Sequence, residues 1–438
     1  MSSPGSDPIP VPPSTGAPDP TTAPPGAAPG ALSHIRVCDF TGQLAGAGAT
    51  RWLGAFGAEI IRIEDPIRKG RWDILRGSPP FKDERRGIEM GSGFNNHNIE
   101  KLGITINLRT DRGKELLREL VTVSDVVAEN FAAGVMERMG FGYESLRSLR
   151  EDIVYVSNCG FGHTGPYREF KSWGPIAQAV SGLTHSSGLA GHPPAGWGYS
   201  YMDHTGGYYM AIAMLMALWH REQTGEGQWV DMSCTEAGAN LHGADLLDWS
   251  VNGRALRAED RPDSNRATSP EMAPHGVYRC KGEDNWVTIA CRDDADWKAL
   301  KSVVEIDAFD AERYDDLPGR LAGVVELDEH LSAWTASRIR FEIEAALQEV
   351  GVPAASVLRP AERIDGDIAT ASWGLWPMVH HLAMGGVRVD GEPVRFSTTD
   401  WSITRAAPTL GQHNRHVFGT VLGLSDADID ELIDQGVI

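Results

Sequence analysis

Apolar residues in the first half of the chain fall into short runs separated by amphipathic stretches. Residues 34–40, 58–64, 103–108, 125–130 and 152–157 carry the near-continuous apolar pattern of strands buried on both faces. Residues 44–56 and 110–123, and a short piece around 136–139, lie between them and read as helices. Strand and helix therefore alternate, the pattern of an α/β fold with a largely parallel sheet. A stronger signal follows at 196–233. Tyr209, Ile212, Ala213, Leu215, Met216 and Trp219 recur at helical spacing and predict a helix with a broad buried face. His220 and Arg221 suit its negative end, residues 224–227 read as a turn, and 228–233 as another strand. Beyond residue 272 the pattern changes. Strands are expected at 275–280 and 285–290, helices over 294–349, strands within 386–396 and a helix at 425–434. Ser425 and Asp428 stand at capping-box spacing before that last helix.

The length of 438 residues exceeds what one hydrophobic core serves, so two domains are expected. We place a disordered Pro/Gly/Ala-rich tail at 1–31 and a large α/β domain at 32–250, completed by about 390–438. A linker at 251–272 leads to a small α+β domain with its return linker at 273–389. Net charge is −20, from 60 acidic and 40 basic residues, which argues against nucleic acid as a partner. The longest apolar run, about 208–219, is too short to span a membrane, and the N-terminus lacks the order of a signal peptide. The five scattered cysteines read as buried free thiols in the cytoplasm.

Candidate chemistry centres on Asp203, at the entrance to the apolar helix and followed by Gly206 and Gly207. A carboxylate there is either an N-cap or a nucleophile held ionised by helix-start amides; periodicity does not choose. The first β-α-β invites a dinucleotide reading, with Gly46 and Gly48 at the turn and Glu64 or Asp65 for a ribose. The signal is weak, because the third glycine of the fingerprint falls at Arg51; the other reading is that small residues let this helix pack closely on a sheet. Residues 66–97 are polar and read as a long surface or active-site loop. The glycine-rich 160–167 stretch follows a strand, where loops of open α/β sheets line ligand clefts. His380, His381, His413 and His416 fit structural or surface roles, since adjacent histidines on a strand face opposite ways; no metal is expected. Trp197, Tyr199, Tyr201 and Met202 either pack in the core or line a cleft for a bulky acyl group.

Several segments together resemble the class III (CaiB/BaiF-type) CoA-transferases. They are DFTGQLAGAGATRWLGAFGAEIIRIEDP, DVVAENFAAGVMERMGFGYESL, GFGHTGPY, WGPIAQAVSG, MDHTGGYYMAIAMLMALWHREQTGEGQWVDMS and the closing APTLGQHNRHVFGTVLGLSDADIDELIDQGVI. The resemblance implies a Rossmann-like large domain with a smaller α+β domain, in an interlocked dimer. It makes Asp203 the nucleophile, forming an aspartyl anhydride and then an aspartyl-CoA thioester. CoA would be contacted by Leu44, Ala45, Asn130, Phe131, Arg138 and Lys171. Coenzyme A and acyl-CoA are then substrates, with carboxylic acids as partners and neither metal nor nicotinamide required. A homodimer is expected, with a heteromer of paralogues as the alternative. Asp65 departs from the pattern, since a basic residue often follows the position of Glu64; Arg68 or Lys69 would substitute. Similar formyl-CoA transferases carry a glycine run where this chain has SNRATSPEMAPH, which disfavours oxalate-type substrates. Similar racemases carry a His-Asp pair where this chain has Ser172-Trp173-Gly174-Pro175. A succinyl-CoA donor with an aryl- or alkyl-substituted acceptor acid is the expected pair. The alternatives are an acyl-CoA racemase or isomerase, a non-catalytic CoA-binding subunit, and a nucleotide-binding oxidoreductase.

Overall fold

The computed structural model describes residues 30–187, 192–196, 200–254 and 270–438. The tail assigned to 1–31, apart from its last two residues, and most of the 251–272 linker lie outside them, as do Trp197 and Tyr199.

In chain order the first elements are β1 (Arg36–Asp39), α1 (Ala45–Ala55), β2 (Glu59–Glu64), α2 (Ser92–His97), β3 (Lys101–Thr105) and α3 (Asp111–Thr122). They are followed by β4 (Val126–Glu129), α4 (Val135–Met139), α5 (Tyr143–Leu149), β5 (Val154–Cys159), α6 (Gly174–Val180), α7 (Tyr201–Thr224) and β6 (Trp229–Ser233). Then come α8 (Cys234–Asn240), α9 (Gly243–Asn252), β7 (His275–Arg279), β8 (Trp286–Ala290), α10 (Asp294–Val304), α11 (Leu317–Ala322), α12 (Val324–Ala336), α13 (Arg340–Glu349) and β9 (Ala354–Ser356). The chain closes with α14 (Ile368–Trp373), β10 (Met378–His381), β11 (Gly385–Arg388) and α15 (Asp426–Asp434).

Two compact units result. The first takes the chain through Gly174, then Met202–Ala237 and Trp373–Ile438. Its sheet is parallel throughout, in the order β3-β2-β1-β4-β5-β6. The strand order reverses between β1 and β4, the switch point where open α/β sheets bind ligands beyond their strand ends. One face of the sheet packs α3, α5 and the C-terminal Ile429, Leu432, Val437 and Ile438. The other face packs Ala49 and Leu53 of α1 and Met210, Met214 and Leu218 of α7. The second unit takes Pro175–Tyr201 and Gly238–Ser372. Its antiparallel sheet β7-β8-β9 is covered by Trp297 and Leu300 of α10, Leu327 and Leu331 of α12, and Ile343 and Leu347 of α13.

Three expectations need correction. Helix α7 does not bury the predicted face. Met202, Gly206, Met210, Met214 and Ala217 pack inward, while Ile212, Leu215, Met216 and Trp219 are 42–68% exposed. The helix is apolar nearly all round, so periodicity alone could not choose its inner side. Residues 66–97, expected as a surface or active-site loop, are drawn partly inside: Asp73, Arg76, Phe94, Asn95 and His97 are buried and α2 lies within the segment, while 67–69 and 83–87 stay exposed. Buried arginine–carboxylate pairing, invisible to a polarity count, draws it in. The late strands fall at 378–381 and 385–388, ahead of most of the 386–396 span. The terminal helix follows expectation, with Ser425 and Asp428 forming a reciprocal capping box. Among the described residues no helix is long and apolar enough to cross a membrane.

Candidate active site

Helix α7 runs across the sheet and is fixed at both ends. At its far end Arg221 donates to Asp125, just before β4 (3.1 Å). At its near end two glycines permit close approach. A Cβ at Gly207 would lie 2.7 Å from the Ala45 carbonyl oxygen at the start of α1, and one at Gly206 would lie 2.6 Å from Cys234 Sγ just after β6. Asp203, one turn before Gly207, is thereby placed beyond the C-terminal strand ends. It is the third residue of the helix, half-buried, and within its first turn rather than preceding it.

The carboxylate of Asp203 meets backbone. A Cβ built on Gly174 would stand 2.5 Å from Oδ2 and 2.7 Å from Cγ, so any side chain at 174 would push this carboxylate aside. That loop closes on itself, since a Cβ on Gly160 would collide with the Ser172 hydroxyl. Gly160 is tied to the start of α8 through its carbonyl, which accepts from Thr235 N (3.0 Å) and Thr235 Oγ1 (2.7 Å). Gly162 and Gly165 take φ of +77° and +83°, which side chains resist. Cys234 donates to Asn158 Oδ1 (3.2 Å). Burial, with the negative charge of Asp203 adding to it, pushes its thiol up to about 12, so it remains a thiol beside the carboxylate. His204 lies ring to ring with His97 at 5.6 Å; burial lowers both, His97 to about 4, and neither is a cation at neutral pH.

The residues expected to contact CoA divide into two groups. Asn130, at the switch point, accepts from Gly42 N (2.7 Å) and donates to Gly42 O (3.0 Å), so its amide clamps the β1–α1 loop. Phe131 packs against Phe40 and Trp72 (ring centroids 6.5 and 5.3 Å). Leu44 follows in the clamped loop and Ala45 opens α1, both buried. Arg138 on α4 and Lys171 on the 160–173 loop are exposed and, among the described residues, make no ion pair. Arg68 and Lys69 are exposed as well. Tyr201 is 36% exposed, whereas Met202 is fully buried and lines no cleft.

Glu64 cannot hold a ribose: Arg76 takes both its oxygens (2.8 and 2.6 Å). That pair belongs to a buried network that sequence reading missed. Asp39 accepts from Lys101 Nζ (3.1 Å), and Arg62 donates to Thr41 O (2.6 Å) and Asp73 (2.8 Å). Arg76 also reaches Glu89 (2.6 Å) and Pro408 O (3.2 Å), and stacks on Phe94 at 4.1 Å. The only available signal was a charged residue inside each apolar strand run. Sequence reading also missed Glu129 at the end of β4 and its neighbour His163. His381 and His413 serve the fold: the Nδ1 of the first accepts from Ala383 N (3.1 Å) and Met384 N (3.2 Å), and that of the second from Gly103 N (3.0 Å).

The model of CoA-transferase family III matches residues 32–414. A formyl-CoA:oxalate CoA-transferase of Streptomyces avermitilis is 30% identical over 93% of this chain and 99% of its own. A succinyl-CoA:mesaconate CoA-transferase of Haloarcula marismortui is 32% identical, over 92% and 97%. Among solved structures, a CaiB/BaiF family protein from Brucella suis superposes with a TM-score of 0.81 at 28% identity, covering 90% of this chain and all of that one.

Proposed function

The chain belongs to CoA-transferase family III, and we propose that it moves CoA between two carboxylic acids with Asp203 as the nucleophile. The carboxylate attacks the carbonyl of a donor acyl-CoA, giving an acyl-aspartyl anhydride and CoA thiolate. The thiolate attacks the aspartyl carbonyl, forming an aspartyl-CoA thioester and releasing the donor acid. An acceptor carboxylate then displaces CoA from Asp203, again as an anhydride. Attack of the thiolate on the acceptor's carbonyl restores the free carboxylate and delivers the new acyl-CoA. Thioester energy is kept at every step, and each step is an ordinary acyl transfer.

The observation that carries this reading is the contact between Gly174 and the Asp203 carboxylate. It fixes the angle of a carboxylate that must attack, and be attacked, in line. It also leaves no room at 174 for the second acid/base side chain that proton abstraction and return would need, which speaks against the racemase alternative. Cys234, held as a thiol, does not compete as nucleophile. Arg138 and Lys171, exposed cations, are assigned to the CoA phosphates. Asn130, Phe131, Leu44 and Ala45 shape the loop beside them. Succinyl-CoA is assigned as donor, the class of donor used by the Haloarcula relative. An aryl- or alkyl-substituted acid is assigned as acceptor, in keeping with the exposed Tyr167, Phe170 and Trp173 just before Gly174.

The protein incubated with a panel of acyl-CoAs, trapped with hydroxylamine or borohydride and digested, should carry modification on the peptide containing Asp203. Asp203→Ala should carry none. An unmodified peptide with every donor, in protein that binds CoA, would sink the proposal. The apolar faces left open on α7 and on α9 (Leu246, Leu247, Trp249 and Val251, 55–76% exposed) support a homodimer in which a second copy covers them. Light scattering should give twice the chain mass, and a monomer at micromolar concentration would refute it.

A further inference from the structure

Glu129 occupies a position where three substrate-facing segments meet. It ends β4 and is fully buried. Its Oε2 accepts from Phe131 N at 2.6 Å, and its Oε1 accepts from the Tyr155 hydroxyl at 3.1 Å. His163 Nε2, on the glycine-rich loop, stands 3.4 Å from the same Oε1 and, among the described residues, is a buried nitrogen with no hydrogen-bond partner. The ring of His163 is fixed edge-on to Trp229 (5.9 Å), and its backbone N donates to Asp231 Oδ1 (2.8 Å). The groups facing Glu129 are Tyr155 and Cys159 on β5, His163, Asp231 on β6 and Glu137 on α4. Among the described residues no lysine or arginine pairs with it.

We infer that Glu129 and His163 share one proton, which fastens the glycine-rich loop to the Asn130–Phe131 segment and makes Glu129 a positioning residue for the CoA cleft. The inference rests on the reading of that cleft as a CoA site. An ionised carboxylate here would face Asp231 and Glu137 without a cation and present its charge to the lone pair of His163. Burial, reinforced by those two acids and opposed by the Phe131 amide and the Tyr155 hydroxyl, raises the carboxyl to about 8. Burial lowers His163. Both groups are then neutral at pH 7, and the Glu129 hydroxyl donates to His163 Nε2. Removal of the proton takes this donor away, and while His163 keeps its own proton on Nδ1 the contact becomes repulsive. It frees the loop that carries Lys171 from the segment that, through Asn130, holds Gly42.

The test uses full-length protein labelled with [ε1-13C]histidine. The His163 resonance, identified by its loss in His163→Gln, should move with a midpoint near 8 in the natural protein. It should stay still in Glu129→Gln, whose amide donates at every pH. A resonance that is flat from pH 6 to 10, or that moves equally in Glu129→Gln, would overturn the shared proton. Calorimetric titration with free CoA should show affinity weakening through the same midpoint by roughly 5- to 10-fold, the worth of one neutral hydrogen bond. It should show constant affinity in Glu129→Gln. A constant natural-protein Kd beside a moving resonance would overturn the positioning role. If Glu129→Gln does not fold, His163→Gln, whose amide donates to the carboxylate, should give the same constant Kd. Absence of CoA binding at any pH would overturn the reading of the cleft and the positioning role with it, while the resonance still decides the proton. Failure to label Asp203 with CoA binding intact would overturn the transfer chemistry alone.

Discussion

At the ends of β1, β2 and β3, buried charges come in matched sets. Asp39 has Lys101, Asp73 has Arg62, and Glu64 has Arg76, all with their side chains out of solvent. At the end of β4 and within β6 the carboxyl groups are handled differently. Glu129 is held by an amide, a phenol and a histidine, and Asp231 by the His163 amide and the Thr164 hydroxyl. Both halves belong to one parallel sheet and face the same crevice. Pairing fixes geometry but removes a group from proton and acyl chemistry. Leaving a buried carboxyl to neutral donors, as at Glu129, costs stability and keeps it able to change state. The first half is a platform, and the second is where Asp203, His163 and the glycine loops meet. Each half should therefore fail in its own way when damaged.

The largest effect is expected on the platform. Arg76→Ala takes the hydrogen-bond donor from both oxygens of buried Glu64, leaving it only Arg62 Nε at 3.8 Å, and takes a donor from Glu89 and from the Pro408 carbonyl. Loss of one member of a buried pair costs about 3–5 kcal/mol. Urea unfolding should show the midpoint falling by that much at an unchanged slope. A loss below about 1 kcal/mol would mean that water or a proton replaces the guanidinium, and the platform half would not differ in kind from the other.

What could be seen in the sequence follows the same division. The β-α-β alternation, the position of Asp203 and the glycine loop were legible because period, turn chemistry and family motifs are local. Arg62, Arg76 and Lys101 were not. Each is a charge within or beside an apolar run, and pairing with Asp73, Glu64 or Asp39 across 11 to 62 residues of chain leaves no local mark. The inner face of α7 was misread for a related reason. Its two sides are equally apolar, and only the sheet beneath decides which is buried. The contact between Gly174 and Asp203 could not be read either. A glycine opening a helix after Trp173 looks like any other turn until the nucleophile is placed against it.

That contact gives the sharper test of the reactive half, with a smaller effect. Gly174 has no positive φ that a methyl would strain, so Gly174→Ala should fold. Its Cβ would meet the Asp203 carboxylate at 2.5 Å, well inside contact distance, and the yielding partner is the end of a short side chain rather than the sheet. The carboxylate must turn away, and the thermal midpoint should stay within about 2 °C of the natural protein, a shift worth under about 1 kcal/mol. Turning moves the attacking oxygen out of line with the thioester carbonyl, and misplacement by about 1 Å costs up to about 100-fold in rate. We expect kcat to fall roughly 10- to 100-fold, with CoA affinity measured by calorimetry unchanged within about twofold. If kcat survives, the backbone at 174 does not orient Asp203. If kcat falls only because the midpoint falls with it, the two halves are not separate in the way the buried charges suggest. A loss in rate without a loss in stability would place the function of Gly174 in holding one carboxylate at one angle.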